Sequence, residues 1–361
     1  MQYTTISDKM MSNAKDWENM TAADQAQHPS IPNPGIPGDF ERQVDPYLRE
    51  LLVHCYRFLG SMEDAEDALQ EALLRAWRAR ETLRSPDALR PWLYRIATRA
   101  CLDLLETRRS RSMPPSTHPP ATPGEPLPAP VLDPIWIGPL PDEYLDSASP
   151  TPEARFELRE SVSLAFLTIL QQLPGRQRAA LLLQDVLGWK AAETAETLGI
   201  SVAAVNSALQ RARSTVRERR PAGGFTPRAT AGDPQTADLL SRYVKAWENA
   251  DLPGLVSLLR NDVILSMPPV PAWYLGREAV REFFGAVLFS APLQGRFRLL
   301  AIRANGSPAF AVYQRDGAGV FRAAALQVIR IDGSQVAQID DFLVLDEHLF
   351  QQFNLPNTID R

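Results

Sequence analysis

From Met113 to Pro152 the chain runs through PPSTHPPATPGEPLPAPVLDPIWIGPLPDEYLDSASPTP, and no regular element can cross that stretch. Proline fixes φ and withholds a backbone donor, so both a continuous helix and a central strand are excluded there. The apolar patterns on either side must therefore close into separate units joined by a linker over 113–152. A length of 361 residues agrees, since it exceeds the usual size of one domain. Within the linker, Ile135, Trp136 and Ile137 are too apolar for an idle tether and are expected to dock.

Other breaks fall where composition changes. Residues 1–38 are polar, end in HPSIPNPGIPG and show no sustained period, which predicts a disordered leader. Helical periodicity covers 39–112 and returns over 153–220; PAGGFTPRATAGDPQ then marks a hinge over 221–235, and a third unit occupies 236–352. Cys55 and Cys101 are the only cysteines and sit in apolar helical patterns, against a disulfide framework or a CxxC zinc site. No run of eighteen apolar residues occurs, and the first residues lack a signal-peptide layout, so a cytoplasmic protein away from the membrane is expected. The net charge of −5 argues weakly against a nucleic-acid partner, but the charges are segregated along the chain and position matters more than the sum.

The segment GWKAAETAETLGISVAAVNSALQRARSTVRERR carries the sharpest pattern. Ala191 to Leu198 predicts a short helix, Gly199 a turn needing φ > 0, and Ser201 an N-cap for a second helix reaching Arg213 or beyond. Ala195 is small where two helices must cross, and Ile200 and Val205 are apolar where they pack inward, which is helix-turn-helix spacing. Outward on the second helix lie Ala203, Ala204, Asn206, Ser207, Gln210 and Arg211: short groups for close approach to a groove, then hydrogen-bonding and basic ones. Arg213, Arg217, Arg219 and Arg220 follow, suited to phosphates.

In DAEDALQEALLRAW, Ala65, Leu69, Ala72, Leu73, Ala76 and Trp77 form one apolar stripe. The opposite side holds Glu63, Asp64, Glu66, Asp67, Gln70 and Glu71, which would repel a phosphate backbone and better suits a protein partner. The sign reverses in RPWLYRIATRACLDLLETRRSR, where Leu93, Ile96, Ala97, Ala100, Cys101 and Leu104 face the core and Arg95, Arg99, Arg108, Arg109 and Arg111 give a basic surface. Trp92 and Tyr94 among those arginines suit stacking on unpaired bases, although Trp92 fits the core equally well. The preceding loop, ETLRSPDALRP, is placed to form a polar pocket for an extruded base.

Order and motifs together resemble bacterial sigma factors of the extracytoplasmic-function type. DAEDALQEALLRAW with RPWLYRIATRACLDLL is similar to sigma domain two, and LPGRQRAALLLQDVLGWKAAETAETLGISVAAVNSALQRARSTVR to sigma domain four. The resemblance implies two all-α sigma domains, a helical bundle over 39–112 and a helix-turn-helix domain over 153–220. It also implies that Asp64, Asp67, Gln70 and Glu71 bind core RNA polymerase. Arg84, Trp92, Tyr94, Arg95, Arg99, Arg108 and Arg109 would engage the melted minus-ten element of promoter DNA. Ser201, Ala203, Ala204, Asn206, Ser207, Gln210, Arg211, Arg213 and Arg217 would serve the minus-thirty-five element. The linker would thread the polymerase cleft, and an anti-sigma factor is compatible as a further partner.

The third unit reads as helices followed by an antiparallel meander: GRFRLLAIRAN, SPAFAVYQRD, VFRAAALQVIRID and QVAQIDDFLVL are separated by Asn-Gly, Asp-Gly and Asp-Gly-Ser turns. It resembles SnoaL-like domains of the NTF2 superfamily, which implies an α+β, cone-shaped fold whose pocket, open to a small ligand, would be lined by Trp247, Met267, Trp273, Tyr274 and Phe284. That fold hosts enzymes and binding modules alike, so it does not decide activity. Asp340 and Asp341, of which alternation points only one inward, and His348 make a thin case for catalysis. The reading assigns no catalytic residue, cofactor or metal, and favours a sigma factor regulated in cis by its third domain. The rival is a SnoaL-type small-molecule-binding protein or enzyme fused to a DNA-binding module.

Overall fold

The computed structural model describes residues 38–83, 85–133, 135–146, 152–220, 224–225, 233–289, 295–345 and 347–360. The expected leader, but for Gly38, and most of the hinge over 221–235 lie outside the described residues. The architecture is two helical units and a C-terminal α+β unit.

The first helical unit comprises α1 (Gly38–Val44), α2 (Leu48–Leu59), α3 (Met62–Ala79) and α4 (Leu89–Thr107). Gly60 ends α2 at φ 74°, and the Ser61 hydroxyl caps α3 by accepting from the Asp64 amide at 3.4 Å. The stripes read from the sequence meet between α2, α3 and α4, with Leu69, Leu73, Leu93, Ala97 and Cys101 all buried. Cys55 and Cys101 are buried there as free thiols.

The second unit comprises α5 (Pro152–Glu160), α6 (Leu164–Gln171), α7 (Gly175–Leu181), α8 (Ala191–Leu198) and α9 (Val202–Arg219), with a π-helical segment, Leu182–Val186, extending α7. Arg178 of α7 is a polar clasp between the two units. Its guanidinium donates to the Phe58 carbonyl of α2 and, at 2.9 Å, to Gln171 Oε1. Burial lowers its pKa to about 10, so it stays charged at neutral pH.

The C-terminal unit adds α10 (Pro234–Glu248), α11 (Leu252–Ser257), α12 (Arg277–Phe283) and α13 (His348–Gln352). Its strands are β1 (Leu259–Ser266), β2 (Trp273–Leu275), β3 (Phe297–Ala304), β4 (Ser307–Arg315), β5 (Phe321–Asp332), β6 (Gln335–Leu343) and β7 (Thr358–Ile359). They form one sheet in the order β2-β1-β6-β5-β4-β3, with β7 beside β5. The meander over β3 to β6 follows the turns in the sequence. Outside the meander the sheet is mixed, because β1 lies parallel to β6; a strand that precedes the meander across intervening helices need not reverse direction. Strands β2 and β7, three and two residues long, are too short to leave a periodic signal.

Alternation along β5 assigns the two faces of the sheet. Ala325, Ile329 and Ile331 join α10 in an inner core, while Leu326 and Val328 belong to the core of the helical units. The sheet is thus buried on both faces, one of them against the first two-thirds of the chain.

The linker is a strap laid over the molecule. Ser112 and Trp136 form a parallel bridge, and Ile137 and Leu140 are fully buried in the helical core. The Val131 amide donates to the Pro269 carbonyl at 2.9 Å, and Gly138 N donates to Gly60 O at 2.9 Å. The expected docking of the Ile135–Ile137 insert is, in the chain alone, onto its own core.

Candidate nucleic-acid interface

The helix-turn-helix is built as its spacing requires. Gly199 takes φ 63° and closes α8 by donating to the Ala195 carbonyl. The Ser201 hydroxyl accepts from the Ala204 amide at 3.2 Å to start α9. Val205, Ala208, Leu209 and Ala212 are buried against the unit. Ser201, Ala203, Ala204, Asn206, Ser207, Gln210, Arg211, Arg213 and Arg217 are all exposed and share the outer side of α9. Arg213 forms a two-point ion pair with Asp185 at 3.0 and 2.6 Å, so it is oriented from behind; the Asp185 hydrogen bond raises its pKa further.

The α4 surface departs from expectation. Tyr94 is 2% exposed, packed edge-on between His54 at 4.9 Å and Trp189 at 6.4 Å, and burial raises its phenol pKa. It is core here and not a stacking platform, because it continues the stripe of Leu93 and Ala97 on the side covered by α2. Trp92 is half-buried against the same core. Arg95 pairs with Glu196 of α8 at 2.7 Å, and Arg99 Nε donates to the Thr197 carbonyl at 3.2 Å. The two arginines nearest the centre of the expected base-contacting face therefore hold the second helical unit. Arg109 is exposed, and Arg84 lies outside the described residues.

The acidic side of α3 is likewise partly neutralised from within. Asp64 is buried and held by Arg111 at 2.7 Å and by Arg108, which also reaches Asp67 at 3.0 Å. Asp64 is thus a structural anchor, corrected from a surface for a protein partner, and Arg108 faces carboxylates in place of phosphates. Asp67 stays exposed; Gln70 and Glu71 are half-exposed, with Glu71 accepting from Arg75 at 2.7 Å. In the loop before α4, Ser85 and Asp87 are exposed and Arg90 forms a bidentate pair with Glu50 at 2.8 Å, leaving that arginine committed.

In the C-terminal unit the five expected pocket residues are packing groups. Trp247 contacts Phe284, Phe289 and Phe297 at ring separations of 5.6, 5.6 and 5.3 Å; Tyr274 stacks on Phe283 at 4.5 Å; Met267 is 3% exposed. Trp273 donates its indole N–H to the His118 carbonyl at 2.8 Å and so fastens the strap. The inward carboxyl is Asp341, pushed up to about 7 by burial, near the Tyr243 to Gln327 hydrogen bond of 2.8 Å. Asp340 points to the opposite face, where it accepts from Ser266 at 2.6 Å. His348 begins α13. Among the described residues no cluster of three or more His, Cys, Asp or Glu side chains is placed to hold a metal, and no helix is long and apolar enough to cross a membrane.

Sequence reading missed the residue that joins all three units. Asn305, at the tip of the β3–β4 hairpin, is fully buried at φ 55°. Its side-chain amide donates to Tyr56 Oη at 2.8 Å and to the Val162 carbonyl at 2.7 Å, and its side-chain oxygen accepts from the Leu140 amide at 2.9 Å. One asparagine thereby binds α2, the start of α6 and the strap. Next to it, the Gly306 amide donates to Asp142 at 2.7 Å, Arg303 pairs with Asp142 at 3.0 Å, and a Cβ on Gly306 would meet Arg159 at 2.7 Å. An Asn-Gly pair signals a turn whether it ends in solvent or in a neighbour, so the sequence held no sign of this role.

Comparison with known proteins bears on all three units. Family models match for Sigma-70 region 2 over residues 43–111, Sigma-70, region 4 over 163–216, and a SnoaL-like domain over 240–342. The ECF RNA polymerase sigma factor SigG of Mycobacterium tuberculosis (strain CDC 1551 / Oshkosh) is 44% identical over 324 residues, covering 89% of this chain and 85% of that protein. The ECF RNA polymerase sigma factor SigJ of Mycobacterium tuberculosis (strain ATCC 25618 / H37Rv) is 33% identical over 217 residues, 60% of each. The crystal structure of Mycobacterium tuberculosis extracytoplasmic function sigma factor SigJ superposes with a TM-score of 0.56 at 24% identity, covering 88% of this chain and 99% of that one, a likeness of fold.

Proposed function

Because the chain belongs to the ECF RNA polymerase sigma factors, we propose that it directs core RNA polymerase to promoter DNA under the control of its own C-terminal unit. In this reading α9 presents Gln210 and Arg211 to base edges of a minus-thirty-five element, with Arg217 on phosphate. Arg95, Arg99 and Arg109 serve the minus-ten element once α8 moves away, and Asp67, Gln70 and Glu71 meet polymerase. The working units are 39–112, 153–220 and 236–352. The place of action is the cytoplasm, an anti-sigma factor remains compatible as a second control, and in this reading the chain acts by binding, with Trp247 of the C-terminal unit engaged in aromatic packing.

Asn305 carries the reading. A buried amide that joins the first unit, the strap and the second unit makes the closed arrangement depend on the third. Minus-ten recognition through Arg95 and Arg99 then requires opening, and the C-terminal unit sets its cost. The test is transcription in vitro with core RNA polymerase on a promoter library, comparing the full chain with Asn305→Ala. Specific initiation by both, raised in the variant, is expected. Equal activity would remove the C-terminal unit from control, and no initiation with no polymerase binding would count against the sigma role.

A further inference from the structure

Arg57 of α2 is 3% exposed, yet it makes no ion pair among the described residues; its Nε donates to the neutral Ser161 hydroxyl at 3.1 Å. Burial lowers its pKa to about 10, which still leaves it a cation at neutral pH. A buried charge without a counter-charge is costly. Arg57 lines a cleft of about 490 Å³ between α2, α4, α5 and the segment after α7.

The other charges of that cleft, Glu157 apart, are matched. Arg90 pairs with Glu50 at 2.8 Å, Arg220 with Glu160 at 3.1 Å, and Asp185 with Arg213 at 2.6 Å. Glu157 stands exposed at the rim. Apart from the Ser161 hydroxyl and the Tyr94 phenol, the remaining lining is apolar, including Val53, Leu158, Phe166, Val186 and Leu187. One buried cation is left for one negative charge, carboxylates at the rim repel a phosphate chain or other polyanion, and the walls suit hydrocarbon.

We propose that this cleft binds an organic monocarboxylate, with its carboxylate on the Arg57 guanidinium and its apolar body against Val53, Phe166 and Leu187. Since the walls come from both helical units, an occupant holds them together and keeps α4 covered; that consequence rests on the cis-regulated reading above, whereas the binding itself does not.

The experiment is calorimetric titration of the full chain with naphthalene-2-carboxylate, and with its neutral carboxamide, inorganic phosphate and a short single-stranded oligonucleotide as comparators. The carboxylate should bind at least about tenfold tighter than the carboxamide, and phosphate weaker than either. Arg57→Gln should erase that preference while leaving carboxamide affinity unchanged. Leu187→Trp, which fills the cleft and keeps Arg57, should block both, and it serves in place of Arg57→Gln if that variant does not fold. Equal affinities for acid and amide, no binding of the acid at about 1 mM, stronger binding of phosphate or oligonucleotide, or an acid that binds Leu187→Trp unchanged would each overturn the proposal. Binding without any effect of the acid on transcription would leave the site standing and count against the regulatory reading alone.

Discussion

Helices α9 and α4 are 18 and 19 residues long and both carry rows of arginine, yet α9 presents Asn206, Gln210 and Arg211 to solvent while α4 commits Arg95 and Arg99 to α8. The contrast follows from what packs opposite each helix. One side of α9 packs against α7, α8 and α6 and its outer side is open, whereas α4 lies between α2 and α3 on one side and α8 on the other. Composition gives an arginine its charge; the neighbouring unit decides whether that charge meets a phosphate or a carboxylate. In the proposed reading the β3–β4 hairpin maintains the difference at a distance, because Asn305 joins α2 to the start of α6.

The strongest way to break the contrast is Asn305→Ala. It removes three side-chain hydrogen bonds and leaves the Leu140 amide and the Val162 carbonyl buried without that partner, at about 1–3 kcal/mol for each orphaned group. Urea unfolding should show a loss of about 3 kcal/mol. Hydrogen exchange should accelerate at the α4–α8 contact before α9 responds. Uniform acceleration over all helices would mean that Asn305 supports general stability and not the closure.

Acid should loosen the same helix from its other side. His54 of α2 is fully buried, contacts Thr98 Oγ1 of α4 at 2.9 Å and packs on Tyr94. Burial, then the charge of Arg57, holds its pKa down at about 3. The folded state thus keeps the ring neutral while the unfolded chain takes up a proton near pH 6.5, so this contribution is complete above that pH and is lost as pH falls towards 3. The slope is on the order of 1 kcal/mol per pH unit. Asp341 works in the opposite sense, since its raised pKa favours the folded state as pH falls through about 7. A raw profile mixes the two, and the difference between the wild type and His54→Gln isolates the histidine. Parallel profiles from pH 7 to 4.5 would show that His54 does not titrate on unfolding.

Periodicity was enough for what depends on local spacing: the α3 and α4 stripes, the Gly199 turn, the Ser201 cap, the strands of the meander. It failed where a side chain's role is set by a distant segment. Asp64 and Arg108 look alike in sequence to their exposed neighbours, and only the fold brings Arg108 and Arg111 over Asp64. Trp273 reads as a pocket aromatic because nothing local says that the strap passes His118 over its indole. The proline-rich run was legible as a breaker of elements, but its course across the sheet depends on single hydrogen bonds such as Val131 to Pro269, which leave no period.

The smallest expected effect tests the contrast most directly. Arg95 and Glu196 are about a third and two-thirds exposed, so the pair contributes on the order of 0–1 kcal/mol. Glu196→Ala should hardly change stability. It frees the Arg95 charge on α4, so affinity for a single-stranded minus-ten oligonucleotide should rise about two- to threefold at low salt, which is the same energy read as binding. Binding of a minus-thirty-five duplex, which in the proposed reading goes through the already open α9, should stay constant. Raising the ionic strength shortens the Debye length to about 3 Å at 1 M and should remove the single-strand gain. If both DNAs respond alike, Glu196 acts through the net charge of the chain, and covering by α8 is not what separates α4 from α9.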